Sequence, residues 1–439
     1  MKKRYVIVGL GNRGPCMFVQ PMLNEYSDVA QLVGLCDINP HRLQLMQQQV
    51  GESVPAYTDF YQMLNEVACD AVIVTTPCGT HHEFIIAALE RDLDVISEKA
   101  LTIDAEKIRA ILAAEKRSKG KLRVTFNYRY APYATEVKRL LTEGIIGDIH
   151  SVEFHWFLDT LHGADYYRRW HRRKENSGGL LVHKATHHFD MINWFTAAEP
   201  QTVFAMGQRR FYGPQRTQRG ERCLICPYAN SCEFYLDMRK SKEFKRLYLE
   251  AEVYDGYYRD RCIFSPEIDI EDTMHVLARY TKGIQVSYTL TSYTPFEGWQ
   301  MVVNGSKGRL EAGEAHSFIP TEQKTFAARK AAAKGIDAIQ AAAGANEPAT
   351  TQDIRVYPLY GGVQVYQVPQ AQGGHGGGDT RLRNMLFRQN VPDPLGHAAD
   401  SWAGVMSVLL GVAANQSIAT GQPISIAELL GKEFVPERW

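Results

Sequence analysis

Residues 1–126 predict an α/β fold, a doubly wound parallel sheet, on three observations. Short β-branched runs alternate with amphipathic stretches, a glycine-rich turn follows the first run, and an aspartate ends the second. The expected strands are Tyr5–Val8, Gln31–Leu35, Ala71–Thr75, Asp94–Ser97 and Arg123–Phe126. Between them Cys16–Glu25, Pro40–Val50, His81–Glu90 and Ala105–Lys116 carry apolar residues at helical spacing. Helices crossing between parallel strands leave ligands to meet the carboxyl ends of those strands.

The first strand runs into Gly9-Leu10-Gly11-Asn12-Arg13-Gly14. A lone G-x-G-x-x-G is a weak signal, but a strand before it and a helix after it give it weight. Gly9 permits the tight turn, Gly11 lets the backbone approach a pyrophosphate, and Gly14 allows close helix packing. The helix N-terminus, with Asn12 and Arg13, offers donors to the phosphates. Asp37 ends the second strand, at the distance from the turn where a carboxylate accepts from a ribose diol. Its charge opposes the extra phosphate of NADP, so NAD is the expected cofactor. Later strand ends face the same crevice: Thr75, Thr76, Pro77 and His81 after one, Glu98 and Lys99 after the next, and Asn127 beyond the last.

A chain of 439 residues exceeds one ordinary core, which predicts a second domain over 127–439. Lys plus Arg and Asp plus Glu balance at 49 each, so no overall field favours nucleic acid or an anionic membrane, and a small molecule is the expected partner. The basic start "MKKRYVIVGLG" meets glycines after a short apolar run and reads as a strand, not a signal peptide. No run reaches about 20 uninterrupted apolar residues, so a cytoplasmic location is expected. Cys16, Cys36, Cys69 and Cys78 read as small buried residues.

The stretch 207–265 is different, with Cys223, Cys226, Cys232 and Cys262 among charged and aromatic residues. A Cys-x2-Cys pair followed by two further thiols suits a structural zinc site, with plain packing of reduced thiols and an iron–sulfur cluster as the alternatives. The stretch 325–349, rich in Ala, Lys and Gly, predicts an exposed helix. Residues 397–417 predict a helix with one apolar face that packs back on the body.

Ser177–Phe195 reads "SGGLLVHKATHHFDMINWF". One helix from near Leu181 through Trp194 would put His183, His187 and Asp190 on one face. Two imidazoles and a carboxylate suit acid/base work; metal ligation and plain helix-start polarity are the alternatives. Candidate substrate-binding residues are Arg129, then His162, Tyr166, Arg169, Trp170 and His171 in "LHGADYYRRWHRR", and His375 with Asp379 in "GGHGGGD". The glycines around His375 suggest a lid or a close backbone approach.

Four blocks in this order resemble the Gfo/Idh/MocA family (glucose-fructose oxidoreductase, inositol dehydrogenase and MocA). They are the glycine turn, Glu98-Lys99-Ala100 for the EKP-type block, "FNYRY" at Phe126–Tyr130, and Ser177–Phe195 for the GG-x3-D-x3-H-x2-D block. The resemblance covers most of the chain. It implies a Rossmann domain, then an α+β domain with a large open, mostly antiparallel sheet, assembled as a homo-dimer or homo-tetramer. The implied activity is NAD-dependent oxidation at a CH–OH group of a sugar, polyol or sugar derivative. The family's catalytic positions correspond to Lys99, His183 and His187. Ala100 stands where the family has proline, and His183 where it has aspartate. The second departure keeps open a glycoside hydrolase or lyase that oxidises its sugar only transiently. A non-catalytic NAD- or sugar-binding sensor is a third reading.

Overall fold

The computed structural model describes residues 1–318, 351–369, 376–437 and 439. The expected helix over 325–349 and His375 lie outside the described residues.

Six strands form the first sheet: β1 (Lys3–Val8), β2 (Ala30–Cys36), β3 (Ala56–Tyr57), β4 (Ala71–Val74), β5 (Asp94–Ser97) and β6 (Leu122–Val124). Their order is β3-β2-β1-β4-β5-β6, and every pair is parallel. Val6, Ile7 and Val8 face Val72, Ile73 and Val74 in register and are buried, as strands covered on both faces require. The order reverses between β1 and β4, so the crevice opens where Gly9 and Thr75 follow those strands. The five expected strands are present, and β3 with its helix Phe60–Glu66 is an addition. A two-residue strand carries no periodicity for a sequence to display.

The second sheet has nine strands: β7 (Ile149–Asp159), β8 (Pro200–Gln208), β9 (Thr273–Tyr280), β10 (Gln285–Thr294), β11 (Phe296–Gly305), β12 (Gly308–Phe318), β13 (Thr351–Pro358), β14 (Gln364–Pro369) and β15 (Ile424–Ser425). The order is β14-β13-β12-β11-β7-β10-β9-β8-β15, antiparallel except where β7 meets β10. Alternate residues Val152, Phe154, Trp156 and Leu158 of β7 turn inward. His188, on the helix Thr186–Thr196, stacks on Trp156 with centroids 4.0 Å apart and fixes that helix against the sheet.

The C-terminal helix runs over Ser401–Thr420, started by Asp400, whose carboxylate accepts from the Ala403 amide. The one-faced pattern expected there is corrected: apolar residues surround most of it. It packs on β8, on the helix Thr186–Thr196 and on β6, so three sides need apolar cover. Its length and hydropathy would also suit a membrane span, and most of it is buried inside the protein.

The zinc expectation finds no support in the described residues. Among the described residues no group of three or more His, Cys, Asp or Glu side chains converges as metal ligands. The insertion is held by ion pairs instead. Arg222 lies 2.6 Å from both Asp260 and Glu252, Arg259 lies 3.1 Å from Asp165, and Arg168 donates to the Cys223 sulfur at 3.1 Å. Such buried pairs persist because each charge has a partner.

Candidate active site

The turn after β1 is shaped by its contact with the turn after β4. Gly9 has φ +93°, and a Cβ there would lie 2.7 Å from the Thr75 carbonyl carbon and the Thr76 amide. The Thr75 hydroxyl donates to the Gly9 carbonyl at 2.5 Å, closing the contact. A Cβ on Gly14 would strike the Gly9 carbonyl at 2.5 Å, whereas one on Gly11 would meet nothing within 4 Å. The turn is thus packed where it must be tight and open at Gly11, which fits an approaching pyrophosphate. Asp37 is buried and accepts from the Leu10 amide at 2.6 Å and the Asn39 amide at 2.8 Å. Burial pushes its carboxyl up, opposed by Arg42 and these amides.

Not every expected cofactor residue faces open space. His81 is corrected: it is fully buried, with Nδ1 2.9 Å from the Ala100 carbonyl and Nε2 2.7 Å from the Thr76 carbonyl. It ties the β4 and β5 turns together, and burial lowers its pKa. Arg13 donates to Glu98 at 2.7 Å and lies 3.6 Å from Asp379. Asn127 donates to Asp379 at 2.7 Å. The Asn12 side-chain oxygen lies 3.6 Å from the Cys16 sulfur, and Pro77 opens the short turn Cys78–Thr80.

The expected single helix is broken. Gly178 and Gly179 both have positive φ, +70° and +77°, and lead into the turn Leu180–His183; a second helix, Thr186–Thr196, follows. His183 therefore belongs to the first turn, while His187 and Asp190 stand one turn apart on the second helix. Asp190 is buried and takes Arg129 in two bonds of 2.7 and 2.5 Å, and Arg129 also donates to the Gly396 carbonyl at 3.0 Å. Arg129, expected at substrate, is a structural partner. His187 packs edge-on to Tyr128 and Phe126, with centroids 4.9 and 6.1 Å away.

His183 instead meets Lys99. The Lys99 Nζ lies 3.5 Å from His183 Nε2 and donates to the His183 carbonyl at 3.1 Å. On the other side of the ring, the Cys78 sulfur lies 3.2 Å from Nδ1. The Lys99–Ala100 peptide is cis. Burial lowers the Lys99 pKa to about 8 and holds His183 well below the usual imidazole value, while it pushes the Cys78 thiol up to about 11.

Aromatic rings wall this chamber. His171 and Trp170 lie 4.2 and 5.4 Å from the His183 ring, and Tyr166 lies 5.7 Å from it. The Arg169 guanidinium acts electrostatically on Tyr257 of the insertion. The Tyr166 hydroxyl lies 3.2 Å from His162 Nε2, and His162 Nδ1 lies 2.9 Å from Glu297. Lys184, 3.6 Å from the same carboxylate, sits over the Trp156 ring at 4.5 Å. Lys184 and Glu297 went unread in the sequence, and Cys78 was read only as a small buried residue. Cys78 had a signal, since it directly follows the Thr75-Thr76-Pro77 strand end; Glu297, on a distant strand, had none.

A doubly wound sheet with this glycine turn, joined to a large open sheet that walls its crevice, defines a two-domain dinucleotide-dependent oxidoreductase. Residues 3–126 match the model of an oxidoreductase family's NAD-binding Rossmann fold, and residues 138–426 match that family's C-terminal alpha/beta domain. The chain belongs to the Gfo/Idh/MocA oxidoreductase family. It is 36% identical to YteT of Bacillus subtilis (strain 168), over 99% of this chain and 100% of that one. It is 26% identical to myo-inositol 2-dehydrogenase of Thermotoga maritima, over 46% of this chain and 58% of that protein. Among solved structures it is similar to the WlbA dehydrogenase of Bordetella pertussis in complex with NADH and UDP-GlcNAcA. There the TM-score is 0.63 and the identity 19%, over 97% of this chain and 99% of that one, a likeness of fold.

Proposed function

We propose that the chain is an NAD-dependent oxidoreductase acting at a CH–OH group of a sugar, polyol or sugar derivative. The observation that carries this reading is the Lys99–His183 pair at the end of β5, across the crevice from the open Gly11 turn. Bound along that turn, NAD supplies the hydride acceptor. Lys99, with its pKa lowered to about 8, takes the hydroxyl proton at Nζ. His183 stays neutral and, held by Cys78 and Lys99, orients that amine. His162, Tyr166 and Trp170 provide polar tips on apolar rings, which suits a polyhydroxylated ligand. His187, beside the Tyr128 and Phe126 rings, is the alternative base to Lys99.

Three further supports bear on substrate and cofactor. The relative named myo-inositol 2-dehydrogenase aligns with 46% of this chain, the fold neighbour WlbA carries a nucleotide sugar, and Asp37 favours a free ribose diol over a phosphorylated one. A homo-dimer or homo-tetramer in the cytoplasm completes the reading.

The test is to mix purified protein with NAD and a panel of sugars, polyols and glycosides, and to follow reduced nicotinamide. NADH accumulating with one class and lost in Lys99→Ala supports the assignment. An altered glycoside with no free NADH would replace it with transient oxidation, and full activity in Lys99→Ala would remove Lys99 from the chemistry.

A further inference from the structure

The part of the insertion from Arg246 to Asp255 lies across the loop that follows β2. Asn39 Nδ2 donates to the Ala251 carbonyl at 3.0 Å and to Asp255 at 2.8 Å. His41 Nε2 lies 2.9 Å from the Arg246 carbonyl. Arg42 joins the same cluster, 2.7 Å from Asp255 through Nη2 and 3.5 Å from Asp37 through Nη1. The Arg42 and Asp255 side chains are only 10% and 9% exposed.

In a doubly wound sheet this loop faces the adenosine ribose, where a carboxylate takes the diol and a nearby arginine accommodates a 2′-phosphate. Both groups are present, yet Arg42 is bracketed by two carboxylates, which leave the corner with a net negative charge. Partial burial strengthens the effect, because screening by water is reduced. Asp255 therefore acts at a ribose site some 200 residues away in sequence, reached only through the fold.

We infer that Asp255 is a specificity-determining residue: by holding Arg42 it denies a 2′-phosphate its cation and keeps the site selective for NAD. The inference rests on the reading above that NAD is the dinucleotide. Asp255 touches Arg42, not the cofactor, so it is a positioning residue.

Calorimetric titration of the full chain with NAD and NADP tests this in wild type, Asp255→Asn, Asp255→Ser and Asp255→Asn/Arg42→Ala. Either neutral replacement should lower the ratio of the NADP to the NAD dissociation constant by about tenfold, as expected for one charge-assisted contact to phosphate. The double variant restores the wild-type net charge at this corner but lacks the arginine, so its ratio should return to the wild-type value. A merely structural role would weaken both dinucleotides together and leave the ratio alone. An unchanged ratio in both folded single variants, or a gain that survives loss of Arg42, overturns the role of Asp255. A wild-type preference for NADP would instead overturn the cofactor reading, so the two failures are distinct.

Discussion

Lys99 and His183 meet through two contacts, Nζ to Nε2 at 3.5 Å and Nζ to the backbone carbonyl at 3.1 Å. Two groups that become cations when protonated cannot both be charged at this distance, and burial lowers both pKa values. His183 accordingly stays neutral across the physiological range, and Lys99 is the group that titrates.

The first prediction is a pH profile. With Lys99 as base, kcat/KM should rise through about pH 8 and level off above it, and Lys99→Met should lower the plateau by roughly 10²–10⁴-fold. Stability shifts the same way. The unfolded chain keeps the proton up to the ordinary value of 10.5, so the folded state gains stability as pH rises from about 8 toward that value. Lys99→Met should flatten this part of the stability profile, measured by urea unfolding across the range.

The second concerns Arg129 and Asp190. Removing one partner leaves an uncompensated buried charge, so Asp190→Ala should cost about 3–5 kcal/mol in urea unfolding. The double replacement Arg129→Met/Asp190→Leu should cost much less. Retention of substrate KM in the double variant would separate this pair from substrate binding; a large rise would return Arg129 to the pocket.

His81 gives the third. Its ring bridges the Thr76 and Ala100 carbonyls, so His81→Ala should loosen both turns that flank the glycine loop. We expect a stability loss of about 1–3 kcal/mol and an NAD dissociation constant raised by about tenfold. Substrate KM at saturating NAD should stay within about threefold of wild type.

Glu297 gives the fourth. It accepts from His162 and neutralises Lys184, which otherwise carries an isolated buried charge. Glu297→Gln should raise substrate KM by about tenfold and reduce kcat less, if His162 with Tyr166 positions substrate. Equal losses in kcat and kcat/KM would instead place His162 in the transition state.

The first sheet was legible because parallel strands advertise themselves as short β-branched runs and because the glycine turn sits at a fixed place among them. The broken helix at Lys184 was not legible. Leu181 to Trp194 has helical spacing throughout, and the break falls at Lys184-Ala185, two good helix formers that carry no stop signal. Arg129 and His81 were misread for a related reason: a polar side chain near a strand end looks the same in sequence whether it faces ligand or a buried partner. Asp190 and the Ala100 carbonyl decide between those outcomes, and both are tertiary facts. The cysteine spacing could not say whether the thiols converge, nor that buried arginine pairs would hold the insertion.

The helix Ser401–Thr420 touches both sheets. The Val124 amide of β6 donates to the Ala399 carbonyl at 3.2 Å, and a Cβ on Gly411 would lie 2.3 Å from the carbonyl of Leu181, just before His183. A nascent chain stopped short of Ala399 therefore lacks this bond to β6 and the helix packed on the Leu181 turn. The glycine turn is synthesised long before the helix Ser401–Thr420 that backs the Leu181 turn. A truncation far from Lys99 in sequence should therefore still disturb the turn whose carbonyl holds Lys99.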